Sequence, residues 1–523
     1  MAEKKVSAYV VVALIIGLLI GAVIGYFVKP VPPPPAELEE LRSKYEELSS
    51  KYSELESKYS ELESKYSELE SKYSEAEKAY GALKSLLGTF PEEGVIKLKA
   101  WCGGAPAEGY RATNLERGVE LLNKILKSLG LNVKVEIEAT FEHIPRDAAR
   151  SRLMAAWEAK EAPDIVIDYG YSPVELADMG WAVPLDEYFE RYSTLFADVP
   201  RSMWELKYKG HIWTIPQDAA MHVFYFRKDV LRKMGWSEEE INALATKINN
   251  GEITFEDIME IAKEAMDKGL VEWGIYHRKG PGGSLWIPYY SLGGRFYDPE
   301  TGKLTISKSK LLDYFTLFHK MTQVYKVTPP TMIATDWRKI HTDFVNGRVL
   351  FWMGGSWHWG EWQRVEYHET LGKLTPEYAW ENIGFSLYPA TKPGASPGAF
   401  VGPHSYVILS QSKYPEIAFL VATLATTPEF EADHCIEGAR LPTHAGTRGV
   451  SKFVEQGKFL AELSELTGKT WAEWIPHGEW SKLVEILTEA LTKVEAGEIS
   501  PQEAVDLVVS RAETEITDII ITD

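Results

Sequence analysis

Two indoles set two residues apart, directly after a glycine pair, are the side chains of this sequence best suited to hold a ligand: Gly354-Gly355-Ser356-Trp357-His358-Trp359. An indole offers a flat apolar face and one N–H edge, which suits a ring with apolar C–H faces and a polar rim. Any single tryptophan is more often core than site, so position carries the reading. Glycines let the backbone turn sharply, which predicts that Trp357 and Trp359 project from a loop. Carboxylates are the second resource. Hydrolysis of a glycosidic bond needs two of them across a cleft, about 5–5.5 Å or 6.5–9.5 Å apart, and Asp168 and Asp218 are the pair to consider. Cys102 and Cys435 have no metal-ligand spacing, so zinc is not expected, and no cofactor or metal is assigned.

The elements that must position these groups read as α/β. Val349 to Met353 is a short apolar run flanked by glycines, hence a buried strand. His341, Phe344 and Val345 at helical spacing precede it, closed by Asn346-Gly347. In open α/β sheets ligands sit beyond the carboxyl ends of strands, where this strand delivers Trp357. Upstream, Val95 to Trp101, a helix about Leu115 to Leu129, and Val133 to Ala139 form a β-α-β unit with parallel strands. Residues 237–269 read as acidic helices of an outer face. Asp298 to Lys303 is oxygen-rich but lacks an EF-hand ligand pattern, and reads as a surface turn.

At 523 residues the chain exceeds one core. Its 25% charged and 45% hydrophobic residues are those of an ordinary globular protein. A net charge of -20 without a basic stripe argues against nucleic-acid binding. Abundant Glu and Lys with few Asn are compatible with a thermophile.

Val6 to Val28 is long and apolar enough to span a bilayer, and Lys4 and Lys5 before it predict a cytoplasmic amino terminus. An uncleaved signal anchor (residues 1–29) is expected, with the C-terminal domain outside; a cleaved signal peptide is the rival. A Pro-rich spacer follows at 30–37. Residues 38–87 carry a seven-residue repeat, SKYSELE. Tyr45, Tyr52, Tyr59 and Tyr66 fall at a, and Leu48, Leu55, Leu62 and Leu69 at d. Lys51, Lys58 and Lys65 at g face Glu56, Glu63 and Glu70 at e. This predicts a coiled-coil stalk that makes a parallel homo-oligomer, the alternative being a solitary solvated helix.

A helix ending in Phe344-Val345-Asn346-Gly347, a strand, then Gly-x-Trp-x-Trp resembles the signature of extracellular solute-binding proteins of ABC importers, in the sugar-binding branch similar to maltose-binding protein. Further matches follow in the family's order and cover about Ile96 to Ala512. Pro163-Asp164-Ile165 resembles a strand whose following loop, Asp168-Tyr169-Gly170-Tyr171, faces ligand. Gly180 to Leu185 is similar to the approach to a first crossover, and Tyr208 to Pro216 to a hairpin. Phe224 to Asp229 is similar to a strand in which Arg227 replaces the usual Asn. Gly282 to Pro288 resembles a ligand-facing loop carrying Trp286. Phe400 to Leu409, with His404, and Gly438 to Thr443, with Arg440, resemble the remaining crossovers. The region of Trp471, Trp474, His477 and Trp480 is ligand-side in relatives.

The resemblance implies a two-lobed periplasmic-binding-protein-like α/β fold, with 95–186 and 401–442 as lobe 1 and 187–400 and 443–523 as lobe 2. Three crossovers would let the cleft close like a hinge. It implies binding without chemistry, a carbohydrate ligand, and importer permease subunits as partners. Trp357, Trp359, Trp286 and Trp480 would supply faces. Asp168, Asp218, His404 and Arg440 would supply polar partners, with Tyr169, Tyr171 and His222 beside them; for His222 a merely solvated strand-end residue is the alternative. A peptide or other polar solute would also stack there. A structural cell-surface protein using this fold as the head of a multimeric stalk is the other reading. By resemblance Cys102 and Cys435 fall in one lobe, which allows a disulfide, with a buried thiol at Cys102 as the alternative.

Overall fold

The computed structural model describes residues 35–84, 93–169 and 172–523. The apolar segment Val6 to Val28, Pro30 to Pro34 and Tyr171 lie outside them. Among the described residues no helix is long and apolar enough to cross a membrane. The chain divides into two compact units, Met1–Tyr80 and Gly81–Asp523.

The repeat forms one helix, Pro35–Lys84, of 50 residues. It has the propensity for this, being rich in Glu, Lys, Leu and Ser without an internal Pro. Glu and Lys four apart close ion pairs along it, Lys44–Glu40, Lys51–Glu47, Lys58–Glu54 and Lys65–Glu61, each at 2.5 Å. The tyrosines and leucines of the a/d seam, Tyr45 to Tyr73, are each 53–67% exposed.

The second unit is built on a nine-stranded sheet. Its strands are β1 Glu93–Gly103, β2 Asn132–Glu142, β3 Ile165–Ile167, β4 Ile215–Arg227, β5 Trp273–Tyr276, β6 Val349–Gly355, β7 Ile383–Ser386, β8 Ala399–Ile408 and β9 Thr470–Ala472. The order is β2-β1-β3-β8-β4-β6-β5, with β7 also on β4 and β9 also on β8. β1 is parallel to β2 and β3, as the β-α-β pattern predicts. β8 runs antiparallel to β3 and β4, and β4 antiparallel to β6.

β4 is the spine. All thirteen of its residues are buried, so it shows no alternation, and Gln217, Asp218, His222 and Arg227 interrupt the apolar run that a strand covered on both faces usually carries. Its first half pairs with β8 through Ile215 to Met221, and its second half with β6 through His222 to Phe226. Three apolar cores surround it. One holds β1, β2 and β3 with the helices Tyr110–Ser128 and Pro415–Leu424. Phe189, Tyr192, Phe196 and Ile212, which the expected boundary at 186 assigns to the other lobe, pack in this core. The other two lie on opposite faces of the second half of β4: Phe224 and Phe226 enter one, Val223 and Tyr225 the other, at the period of two that a pleated strand imposes. Ala432, Cys435, Ala439 and Leu441 pack in the latter, although the expected boundary at 442 puts them in lobe 1.

Cys102 and Cys435 are free and buried, in different cores, so the disulfide is not formed. Burial pushes the Cys102 thiol up to about 12, which makes it an inert apolar side chain. Asp298 forms the expected surface turn, accepting from the Glu300 N–H and the Thr301 hydroxyl.

Candidate functional site

A cavity of about 550 Å³ lies beyond the ends of β1 and β6 and against the middle of β4 and β8, at Ala220, His222 and His404. β6 ends at Gly355, and the chain enters a helix at once, Trp357–Trp362, where a loop was expected. That difference decides the fate of the two indoles. At 100° per residue, positions 357 and 359 point to opposite sides of a helix. Trp357 turns to the cavity. Trp359 turns into the core, 5% exposed and stacked on Phe459 with ring centres 4.6 Å apart. The expectation of two platforms therefore reduces to one. The glycine pair still has a purpose: a Cβ on Gly355 would lie 2.1 Å from the Trp357 ring, so only glycine lets the indole fold back over the strand end.

Trp357 is half-buried between polar groups. His222 meets its edge at 5.2 Å, and the Arg440 guanidinium lies over its face at 5.0 Å. Arg440 is one of two buried guanidiniums that share the carboxylate of Glu108; the other, Arg111, is 3.3 Å away and also donates to the Gly103 carbonyl at 2.8 Å. Against its burial, Arg111 and Arg440 hold the Glu108 carboxyl down to about 2. Once paired, these charges present a fixed set of N–H donors at the wall.

The remaining expected residues divide. His404 lines the cavity, its Nδ1 3.0 Å from Asp168, whose other oxygen accepts the Ser405 N–H at 3.1 Å. Tyr169 lines it as well, donating to the Ile144 carbonyl at 3.2 Å. His222 lines it with Nε2 3.1 Å from Glu473. Asp218 does not: it is wholly buried beneath the wall, accepting from Tyr110 at 3.4 Å. β4 is buried on both faces, and Asp218 sits in its interior. Asp168 and Asp218 accordingly do not face each other across the cavity. Trp286 and Trp480 border a second cavity of about 290 Å³, which shares Arg146 and Glu473 with the first. Gly282 to Pro288 is helical from Gly283 on, and Trp286 is buried against Phe296 and Tyr314.

Sequence reasoning missed the polar group beside Trp357, whose ring lies 5.0 Å from that of His358. His358 and Glu361 share a helix face at i,i+3, and His341 joins them from the helix Trp337–Val345. The ligand atoms of these three buried residues all lie within 4.8 Å of one another, a spacing that a metal would accept. Their hydrogen bonds oppose it. The Trp362 indole, which can only donate, bonds His341 Nδ1 at 3.1 Å. A neutral His341 therefore carries its proton on Nε2, the atom that faces Glu361 at 3.7 Å. Burial keeps His341 and His358 neutral, His358 down to about 3. The trio reads as a fixed donor and acceptor array, with Tyr367 donating to Glu361 at 2.5 Å. The signal for it was in the sequence, as His358-x-x-Glu361 beside the tryptophans, but the helix that makes it a unit was not foreseen.

The arrangement can hold a polar ring or chain of rings: one indole face, a ring of directed donors and acceptors, and a volume in the range of small-molecule sites. The family model described as Bacterial extracellular solute-binding protein matches residues 127–432. Among solved structures, the maltose-bound MalE3 of T. maritima superposes with TM-score 0.62 at 16% identity, covering 80% of this chain and 100% of that one. A solute-binding protein of an ABC transporter from Thermotoga lettingae, bound with alpha-D-tagatose, gives 0.61 at 18%, covering 80% and 99%. The ABC substrate-binding protein of Listeria monocytogenes in complex with cycloalternan gives 0.61 at 16%, covering 81% and 99%. At these identities the structures establish a shared two-lobed α/β architecture. With the family match extending over more than half of the sequence, this chain belongs to the bacterial extracellular solute-binding proteins.

Proposed function

We propose that this protein captures a carbohydrate in the cavity under Trp357 and delivers it to an ABC importer without altering it. The carrying observation is one indole face set among directed polar groups, with Arg440 above it and His222 at its edge. Sugars need that combination: apolar C–H faces to stack and hydroxyls that bond both donors and acceptors. Sugar complexes of the superposed relatives support the same ligand class. On this reading Trp357, Tyr169, His222, His404 and Arg440 contact ligand, while Asp168 orients His404 and Asp218 fixes the wall from beneath.

The lobe division follows the apolar cores: β1 to β3 with their helices form one lobe, the two cores on the second half of β4 the other. β4, β8 and the segment at Leu441, bridged to Ala219, are the crossovers on which the cleft closes. Outside the described residues, Val6 to Val28 anchors the chain in the membrane with this domain outside. The Tyr/Leu seam makes the helix Pro35–Lys84 a parallel oligomer.

A thermal-shift and calorimetric screen of mono- and oligosaccharides tests the proposal. At saturating ligand, a 100-fold excess over Kd should add about 2.7 kcal/mol of stability. Binding of peptides with no saccharide bound would replace it with a different solute class, and released monosaccharide would make the protein a hydrolase.

A further inference from the structure

Four of the arginines that approach the cavity differ in one respect. Arg111 and Arg440 are compensated by Glu108. Arg278 is not: among the described residues no carboxylate lies within ion-pair distance of it, and its Nε is buried without a partner. It reaches the cavity from the loop between β5 and the helix Gly283–Ser291. Gly282 holds it there, since a Cβ on that residue would fall 1.9 Å from the guanidinium. The Trp337 ring lies 5.8 Å away on another side. Glu473, whose charge is felt at Arg278, is committed to His222 at 3.1 Å. Arg146, itself exposed, acts by its charge on Arg278, borders both cavities, and lies over Tyr169 at 5.3 Å, without a carboxylate partner among the described residues.

A guanidinium partly withdrawn from water, with its Nε buried and no carboxylate to pair it, is costly, and a second cation nearby adds to the cost. Burial, and then Arg146, push the Arg278 guanidinium down to about 10, an unusual depression for arginine. Such a pair is relieved by an oxyanion. A planar guanidinium fork matches a carboxylate or phosphate and gives no comparable reward for a hydroxyl.

We infer that the saccharide taken by this cleft bears an acidic oxygen group, carboxylate or phosphate, and that Arg278, with Arg146 beside it, selects that group. This rests on the carbohydrate reading above. The net charge of -20 does not prevent it, because charges farther than about 8 Å are largely screened at physiological salt.

The test uses the full-length protein and matched pairs of probes: oligouronates of the gluco, galacto and manno series against their methyl esters, and hexose 6-phosphates against the free hexoses. The methyl ester keeps ring and stereochemistry and removes only the charge. Calorimetry should show at least one acid bound tenfold or more tighter than its neutral counterpart. Which series shows the preference separates carboxylate from phosphate. In Arg278→Gln that ratio should collapse to within threefold of unity, and Arg278→Lys should restore part of it. Raised salt should erode the acid's advantage in the wild type, a readout that needs no variant. Neutral sugars bound as tightly as their acids, or a preference that survives Arg278→Gln, overturns the inference and leaves the carbohydrate reading standing. No binding by any saccharide overturns that reading, and this inference with it.

Discussion

At the scale of single residues, two tryptophans two positions apart should behave as opposites. Trp357→Ala removes the indole face in the cavity. Losing about 60–100 Å² of ligand burial at about 25 cal/mol per Å² weakens binding by about 1.5–2.5 kcal/mol, roughly ten- to seventyfold. Its folding stability should fall much less, since the ring is half-buried and flanked by polar groups. Trp359→Ala instead opens a hole beside Phe459 in a core, at a cost of about 3–5 kcal/mol. Denaturant midpoints and ligand titrations on both variants check the pair. Loss of stability in Trp357→Ala with unchanged affinity would move the site away from this indole.

Elements decide what those residues can do. The helix Trp357–Trp362 sorts its side chains by angle, sending Trp357 and His358 to the cavity and Trp359 to the core. The helix Pro35–Lys84 poses the complementary case: a row of tyrosines and leucines, each more than half exposed, with ion pairs alongside. An apolar seam repeating every seven residues has no use on a solitary helix, which is the ground for the proposed association. Replacing Leu55, Leu62 and Leu69 together with Ser should convert an oligomer to a monomer in sedimentation, with the second unit still folded. A wild-type protein that sediments as a monomer at micromolar concentration would remove the oligomer.

At the scale of the whole molecule, buried ionisable groups set an acid limit. Burial holds His434 down to about 4, whereas an unfolded imidazole titrates near 6.5. The unfolded chain therefore binds the extra proton first, and this contribution, complete above pH 6.5, is lost as pH falls towards 4. His358, held at about 3, acts in the same direction over a wider range. Glu108 is held near 2 by Arg111 and Arg440 against an ordinary 4.5, so its contribution, on the order of 3 kcal/mol, is present above pH 4.5 and lost between 4.5 and 2. Burial pushes Glu431 up to about 7, so its contribution grows as pH falls from 7 to 4.5 and partly offsets the loss at the histidines. Denaturant midpoints should decline gently below pH 6.5 and drop more steeply below 4.5. A flat profile from pH 7 to 4 would contradict the assignment of neutral buried histidines.

Periodicity and punctuation determined much of this protein. The seven-residue repeat specified the helix Pro35–Lys84, because local spacing alone fixes a helix face. The strand-helix-strand order specified the parallel pairing of β1 with β2 and β3, and Asn346-Gly347 marked the helix end before β6. Gly355 before Trp357 pointed to an indole at a strand end. What only the tertiary structure decided is which side chains converge. Asp218 had the right chemistry but lies in a strand buried on both faces. Trp359 had the right type, and a half-turn of helix took it into the core. Cys102 and Cys435 fall in separate cores. Arg278, Glu473, His341 and Glu361 come from loops and helices apart in sequence, and meet because the order of β4 and its neighbours in the sheet brings those segments to one cavity. Local sequence reports which face a residue takes; the sheet order, a product of long-range burial, reports what it faces.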